Sequence, residues 1–461
     1  MQNIYYEVGS LDKRCYEQFA LSEDLLMEHA ALALEKEITK TFDKNSSVLI
    51  VSGMGNNGAD GIALARLLYK TYDVKLYIPF ELKSPMAKLQ LKRAQLLGVN
   101  LINELQECDI VVDSLFGSGL KRDLNEASQK IIETLNSYNS YKIACDIPTG
   151  IDFKGDISTL AFFADVTVTM GALKTSLFTD TAKDYVGEIV VANLGVQREV
   201  YETKTDLFLL EKEDLKLPLR DKKNAHKGTF GHLNVVIGSK KGAGVIAAKA
   251  AFGFGAGLVS VICHECVDLP YHIMQTHNLS ENCTAIALGM GLGIYDEKEI
   301  ENILQSKLPT IIDADLFYED IIKIALQKEV VLTPHPKEFC ALLNVCELAD
   351  IKVKELQKNR FKYVEMFCKK YPKVVLLLKG ANVLIAQNEK IFVNTFGSAV
   401  LSKGGSGDVL GGLVGSLLAQ GYKPLDAAIS ASLAHAIAAS NYKKNNYSLI
   451  PSDLVEEVKR L

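Results

Sequence analysis

Apolar residues in this chain arrive in short runs, each broken by glycine or by charge. In the first half the runs lie at 48–51, 74–78, 110–112, 143–145 and 166–168. Stretches with helical periodicity separate them: Leu25 and Leu26 are answered seven residues on by Leu32 and Ala33, and residues 85–97 read as another helix. Strand-length apolar runs alternating with helices predict a mostly parallel sheet covered on both faces. A second series follows at 233–237, 259–262, 285–288, 310–312, 330–332 and 374–378. Between the series, residues 197–223 are dense in charge. A domain junction is expected at about 200–220, which divides the chain into 1–205 and 206–461. The expected fold class is α/β in both halves, each a three-layer domain.

Composition narrows the field only at this point. With 461 residues, 48% of them hydrophobic and 23% charged, each half can bury a core of its own. A formal net charge of −5 without a basic block argues against a nucleic-acid or anionic-membrane surface. The opening residues carry no basic, apolar and small-residue series of a secretory signal, and no run of eighteen apolar residues occurs. Nine cysteines without framework spacing fit reduced thiols, so a cytoplasmic location is expected. The cluster Cys263, His264, Glu265 and Cys266 lacks the regular spacing of a closed zinc site and reads as strand end and loop.

Glycine marks where chemistry could sit. The segment GMGNNGADG at 53–61 joins the run ending at Val51 to an apolar helix. Its glycines allow close backbone approach, and the helix start offers free N–H groups to a phosphate. A tight strand-to-helix turn would account for one such loop. Two more strand ends, VDSLFGSGLKRD at 112–123 and CDIPTGID at 145–152, reach the same sheet edge, where ligands of parallel sheets bind. Asn57, Asp113 and Thr149 thereby supply oxygen donors suited to a hard cation. Asp146 is left for proton transfer or substrate hydrogen bonding, its plainer alternative being a turn cap.

In the second half, KGGSGDVLGG at 403–412 introduces an apolar helix. Two glycine pairs expose consecutive N–H groups at the positive helix end, a place for a migrating phosphoryl group. Asp408 stands beside that anion hole, where a carboxylate is electrostatically awkward unless it acts as a base; a first-turn aspartate that merely stabilises the helix is the plainer reading. GMGLG at 289–293, DAD at 313–315, TPHPKEF at 333–339 and LKGANV at 378–383 close other strands of this half. His335, between two prolines, points from a rigid loop.

The first set of motifs resembles the NAD(P)H-hydrate epimerase family. That likeness implies a Rossmann-like fold, a potassium ion held by Asn57, Asp113 and Thr149, and substrate contacts from Asn56, Asn57, Gly58, Ala59, Asp60, Gly117, Ser118, Gly119, Leu120, Lys121, Arg122, Asp123 and Asp146. Asp146 would be catalytic. The second set resembles the ADP/ATP-dependent NAD(P)H-hydrate dehydratase family, which is ribokinase-like. It implies nucleotide contacts from Lys379, Gly380, Ala381, Asn382, Val383 and Gly407, and hydrate contacts from Ala256, Gly291, His335 and Asp408, with Asp408 as catalytic base. Implied with these are ADP or ATP as co-substrate, Mg2+ with the nucleotide, the hydrates NADHX and NADPHX as substrates, and a homo-oligomer. No nucleic-acid or membrane partner is expected. Two rival readings are a small-molecule or vitamin kinase, which would release a stable phosphate ester, and a non-catalytic binding scaffold.

Overall fold

A computed structural model describes residues 1–120, 123–221 and 223–461. It divides into two compact units, one of residues 3–205 and one of residues 206–461 with the first two residues.

In the first unit, strands Leu101–Ile102, Asp73–Tyr77, Ser47–Ser52, Ile110–Ser114, Tyr141–Cys145, Val166–Met170 and Glu188–Ala192 lie side by side in that order, all parallel. Strand geometry sends alternate side chains to opposite faces. Val48 and Ile50 accordingly join one hydrophobic layer and Leu49 and Val51 another, all four fully buried. A sheet buried on both faces needs continuous apolar runs, which is why these strands were readable without alternation. The helix Pro85–Leu97 follows a Ser84 cap with proline at its first turn and ends on Gly98 at φ 85°. A short strand, Leu173–Lys174, pairs in parallel with Ile4 and Tyr5.

In the second unit, strands Met274–Thr276, Leu258–Ile262, His232–Val236, Ala285–Leu288, Thr310–Ile312, Val330–Leu332 and Val375–Leu378 form a parallel array. Val383–Gln387 then turns back antiparallel, Lys390–Asn394 turns again, and Leu207–Leu209 adds in parallel beyond it. The helices Lys241–Gly253, Ser406–Ala419 and Pro424–Asn441 contribute Ala247, Leu413, Val414 and Ala434 to a core that also takes Leu233, Val235 and Ile311 from the sheet. Among the described residues no helix is long and apolar enough to cross a membrane.

Candidate active sites

The first site grows from three strand ends. Val51, Asp113 and Ala144 lie abreast in register, so the loops after these strands open at one edge. The strand Ser47–Ser52 runs through Gly53 into the helix Asn56–Leu68. A β-carbon on Gly53 would lie 1.7 Å from the Leu115 carbonyl oxygen, so only glycine allows the first loop to pack on the second. No side chain caps this helix start, which leaves its first N–H groups for a ligand.

Asp113 is 1% exposed. Its Oδ1 accepts from Thr149 Oγ1 at 2.8 Å and Leu115 N at 3.1 Å, and its Oδ2 from Thr149 N at 2.8 Å. Burial pushes its carboxyl up to about 6, against the pull of those hydrogen bonds. Thr149 Oγ1 also meets Phe116 N at 3.0 Å. The Asn57 Oδ1 and Nδ2 atoms are buried without a hydrogen-bond partner. A β-carbon on Gly117 would stand 2.8 Å from Asn57 Oδ1 and 3.1 Å from Asp146 Oδ2. That places Asn57 and Asp146 around one point beside the second loop.

Asp146 has φ 70°, a left-handed conformation that non-glycine residues rarely adopt. Its N–H donates to Val168 O at 2.8 Å. Oδ2 accepts from Ser118 N at 3.2 Å, and Oδ1 accepts from Met170 N at 3.1 Å and Lys174 Nζ at 2.6 Å. Burial opposes ionisation here, but the adjacent ammonium prevails and holds the carboxyl below the usual range. Half-buried Asp60 goes the other way, pushed well above that range by desolvation and by Asp146, Asp12 and Glu23.

Other residues expected at this site fall into separate groups. Asn56 is exposed, donating to Glu23 Oε1 at 2.6 Å and accepting from Ser84 Oγ at 2.5 Å. Ala59 and Leu120 bury their side chains in the core, which leaves their backbone for any ligand contact, and Gly58 is buried as well. Ser118, Gly119 and Asp123 are exposed, whereas Lys121 and Arg122 lie outside the described residues. Lys174 was not anticipated. Its signal was a lone cation directly after the apolar stretch 170–173.

The second site forms around the helix Ser406–Ala419, whose start is Gly405 at φ 90° with no side-chain cap. Asp408 in its first turn lines a cavity of about 490 Å³ together with Lys240, Ala243, Gly291, Ala314 and Asp315. Burial and the nearby Asp313 push the Asp408 carboxyl up to about 6, with Lys379 opposing. Lys379 Nζ donates to Asp313 Oδ1 at 3.0 Å and lies 3.9 Å from Glu338. A β-carbon on Gly407 would stand 3.3 Å from the same ammonium. Gly407, Lys379, Asp313 and Asp408 are thus one cluster.

His335 caps the helix Pro336–Val345: its Nδ1 accepts from Lys337 N and Glu338 N at 3.1 and 3.2 Å, and its Nε2 lies 3.1 Å from Glu338 Oε1. The tautomer that satisfies these contacts carries its proton on Nε2. Burial and Lys379 lower its basicity, while burial lifts Glu338 to about 7. The ring expected at the hydrate is a helix cap here, with its side chain 45% exposed.

Lys379, Gly380, Ala381 and Asn382 form the turn between two antiparallel strands, the second of which Val383 opens. Gly380 and Ala381 are exposed and Asn382 is buried. Arg360, itself 3% exposed, donates to the carbonyls of Leu378, Lys379 and Asn382 at 3.3, 3.1 and 2.9 Å. Under the glycine loop, His435 Nε2 meets Ser406 O at 3.0 Å, and burial lowers this imidazole to about 4.

Ala256 is placed differently from the expectation. It is 2% exposed in the core, its N–H bound to Ser416 Oγ at 3.1 Å. Ser416 lies two turns beyond Asp408 on the same helix. The alanines at the cavity are Ala243 and Ala314, the first of which the glycine-rich segment KKGAG at 240–244 could have signalled.

Comparison with known proteins gives two family matches. Residues 23–176 match the model described as YjeF-related protein N-terminus, and residues 233–460 match that described as NAD(P)H-hydrate dehydratase. The bifunctional NAD(P)H-hydrate repair enzyme Nnr of Helicobacter pylori is 47% identical, with 100% of each chain covered. Its namesake from Coxiella burnetii is 31% identical over 94% of this chain and 93% of that one. Among solved structures, an ADP/ATP-dependent NAD(P)H-hydrate dehydratase from Bacillus subtilis, co-crystallized with ATP/Mg2+, is 26% identical with a TM-score of 0.48. It covers 56% of this chain and 98% of its own.

Proposed function

The chain belongs to the family of bifunctional NAD(P)H-hydrate repair enzymes, and from that premise we propose how its two halves divide the work. Water added across the nicotinamide C5–C6 double bond leaves a hydroxyl at C6 in two epimers. Residues 3–205 interconvert the R and S epimers, with Asp146 moving the proton. Residues 206–461 dehydrate the S epimer at the expense of ADP.

In the dehydration, Asp408 accepts the C6 hydroxyl proton as that oxygen attacks the terminal phosphorus of ADP. The bond from phosphorus to the bridging oxygen breaks and AMP leaves. Phosphate then departs from C6 with the electrons of the C–O bond, C5 gives up a proton, and the double bond is restored. The N–H groups at Gly407 and Asp408, in the first turn of a helix with no side-chain cap, receive the phosphoryl charge, and the segment 379–383 receives the nucleotide. What carries this reading is Asp408, which lies on the wall of the same cavity as Gly291, beside the Lys379–Asp313 pair. Mg2+ would accompany the nucleotide phosphates and neutralise part of their charge.

For the first site, the buried and unpartnered amide of Asn57 beside Gly117, and the bonded pair of Asp113 and Thr149, support a potassium ion held by these three residues. The ion would supply fixed positive charge beside the loop 116–118. NADHX and NADPHX are both proposed as substrates, acted on in the cytoplasm by a homo-oligomer.

The test supplies a mixture of both epimers of hydrated NADH, with ADP or ATP separately. Full recovery of NADH with release of inorganic phosphate is expected. Accumulation of a stable phosphate ester would favour the kinase reading, and recovery that stops at the S epimer would remove the epimerase assignment.

A further inference from the structure

The oxygen of Asp146 that does not face the second loop is held by Lys174, and we infer that Lys174 is a positioning residue for epimerisation. Its ammonium fixes the Asp146 carboxylate so that Oδ2 faces Ser118 and Asn57. The inference rests on the proposed role of Asp146 in moving the proton.

Lys174 is 2% exposed, and its three donors are all used: Asp146 Oδ1 at 2.6 Å, Thr169 Oγ1 at 2.8 Å and Met170 O at 3.0 Å. Oδ1 also accepts from Met170 N at 3.1 Å. One carboxylate oxygen is therefore tied to its own neighbourhood, and the other reaches the loop that approaches Asn57. The backbone of Asp146 sits at φ 70°, a conformation that persists only where the surroundings over-determine it. The Lys174 contact and the Asp146 N–H bond to Val168 O do so.

Fold stability accounts poorly for this arrangement, because a buried ion pair seldom outperforms apolar residues of the same volume. The neighbouring ionisable groups have other surroundings. Asp12, from the helix Gly9–Phe19, accepts from Tyr201 Oη at 2.7 Å, and its carboxyl, like that of Asp60, is raised by burial. The thiol of Cys145 is raised for the same reason. Of these groups Asp146 is the one paired with the ammonium.

The experiment places Lys174→Met and Lys174→Arg in the full-length chain, each in the natural and in the Asp146→Asn background. Interconversion of the hydrate epimers is followed, and dehydration by the other half is the internal measure of intact protein. Lys174→Met should lower kcat for epimerisation about 10- to 100-fold with KM within about twofold. In the Asp146→Asn background the same change should cost less than about twofold, because the carboxylate it serves is gone. Epimerisation within twofold of the natural protein, a loss confined to KM, or a loss that multiplies in the Asp146→Asn background would each overturn the inference. Normal epimerisation by Asp146→Asn alone would sink the reading of Asp146 beneath it. Should Lys174→Met not fold, the comparison passes to Lys174→Arg, whose planar fork cannot reproduce the ammonium contacts. A natural kcat in that variant would overturn the inference equally.

Discussion

Acidification should stop the two activities of this chain at different points, and Asp408 sets the first of them. Burial and Asp313 lift its carboxyl to about 6. A base must be ionised to accept the C6 hydroxyl proton, so dehydration is present above that value and is lost as the pH falls through it. At pH 7.5 nearly all Asp408 is ionised; at pH 5 about one tenth is, so the rate should drop roughly tenfold across that interval. Asp408→Asn removes the base and should cost about 10²- to 10⁴-fold in kcat, the usual worth of general-base assistance. Its small residual rate should no longer fall near pH 6. The assay is phosphate release from the S epimer with saturating ADP, buffered from pH 5 to 8. Epimerisation in the same tubes is the control, because Lys174 holds Asp146 below the usual carboxylate range and the first half should keep working at pH 5. An Asp408→Asn protein with more than a tenth of the natural dehydration rate would refute the assignment. So would one that keeps the same fall near pH 6.

Three further outcomes are expected. Gly291→Ala puts a β-carbon 2.2 Å from Lys240 O at φ 68°. The left-handed backbone alone costs about 1–2 kcal/mol, so dehydration should be lost and epimerisation kept; equal loss of both would contradict the separation of sites. His435 is neutral when folded, with its imidazole lowered to about 4 from an ordinary 6.5. Its contribution to stability is present above pH 6.5 and is lost as the pH falls from there toward 4, on the order of 3 kcal/mol. Denaturant midpoints of His435→Gln should show a flatter pH dependence than the natural chain, and an identical slope would remove His435 as the cause. Asn57→Leu should abolish any stimulation of epimerisation by potassium over tetramethylammonium while leaving phosphate release unchanged; retained stimulation would move the ion elsewhere.

The strands that line both sites were legible because a sheet covered on two faces must be apolar at every position, and such runs end abruptly where loops begin. The run 110–112 led directly to Asp113, and the helix 85–97 was marked at both ends by Ser84, Pro85 and Gly98. The antiparallel turn at 379–382 was harder to read. Its motif was visible in the letters, but periodicity does not distinguish a strand that reverses from one that continues. Lys174 escaped because a single cation in an apolar stretch looks like a surface residue until its acceptors are placed around it. Ala256 misled for the opposite reason. Alanine carries no chemistry of its own, so its letter could not say that it faces the core while Ala243 faces the cavity.

The guanidinium of Arg360 bridges three carbonyls along the turn that the nucleotide is proposed to meet. Such a clasp makes the helix Arg360–Lys370 and the turn a single stiff body, so a diphosphate arriving there finds its seat already shaped. Little ordering entropy is then spent at the moment of encounter, and differences in how tightly ADP and ATP are held would come from the length of the phosphate tail rather than from rearrangement of the turn.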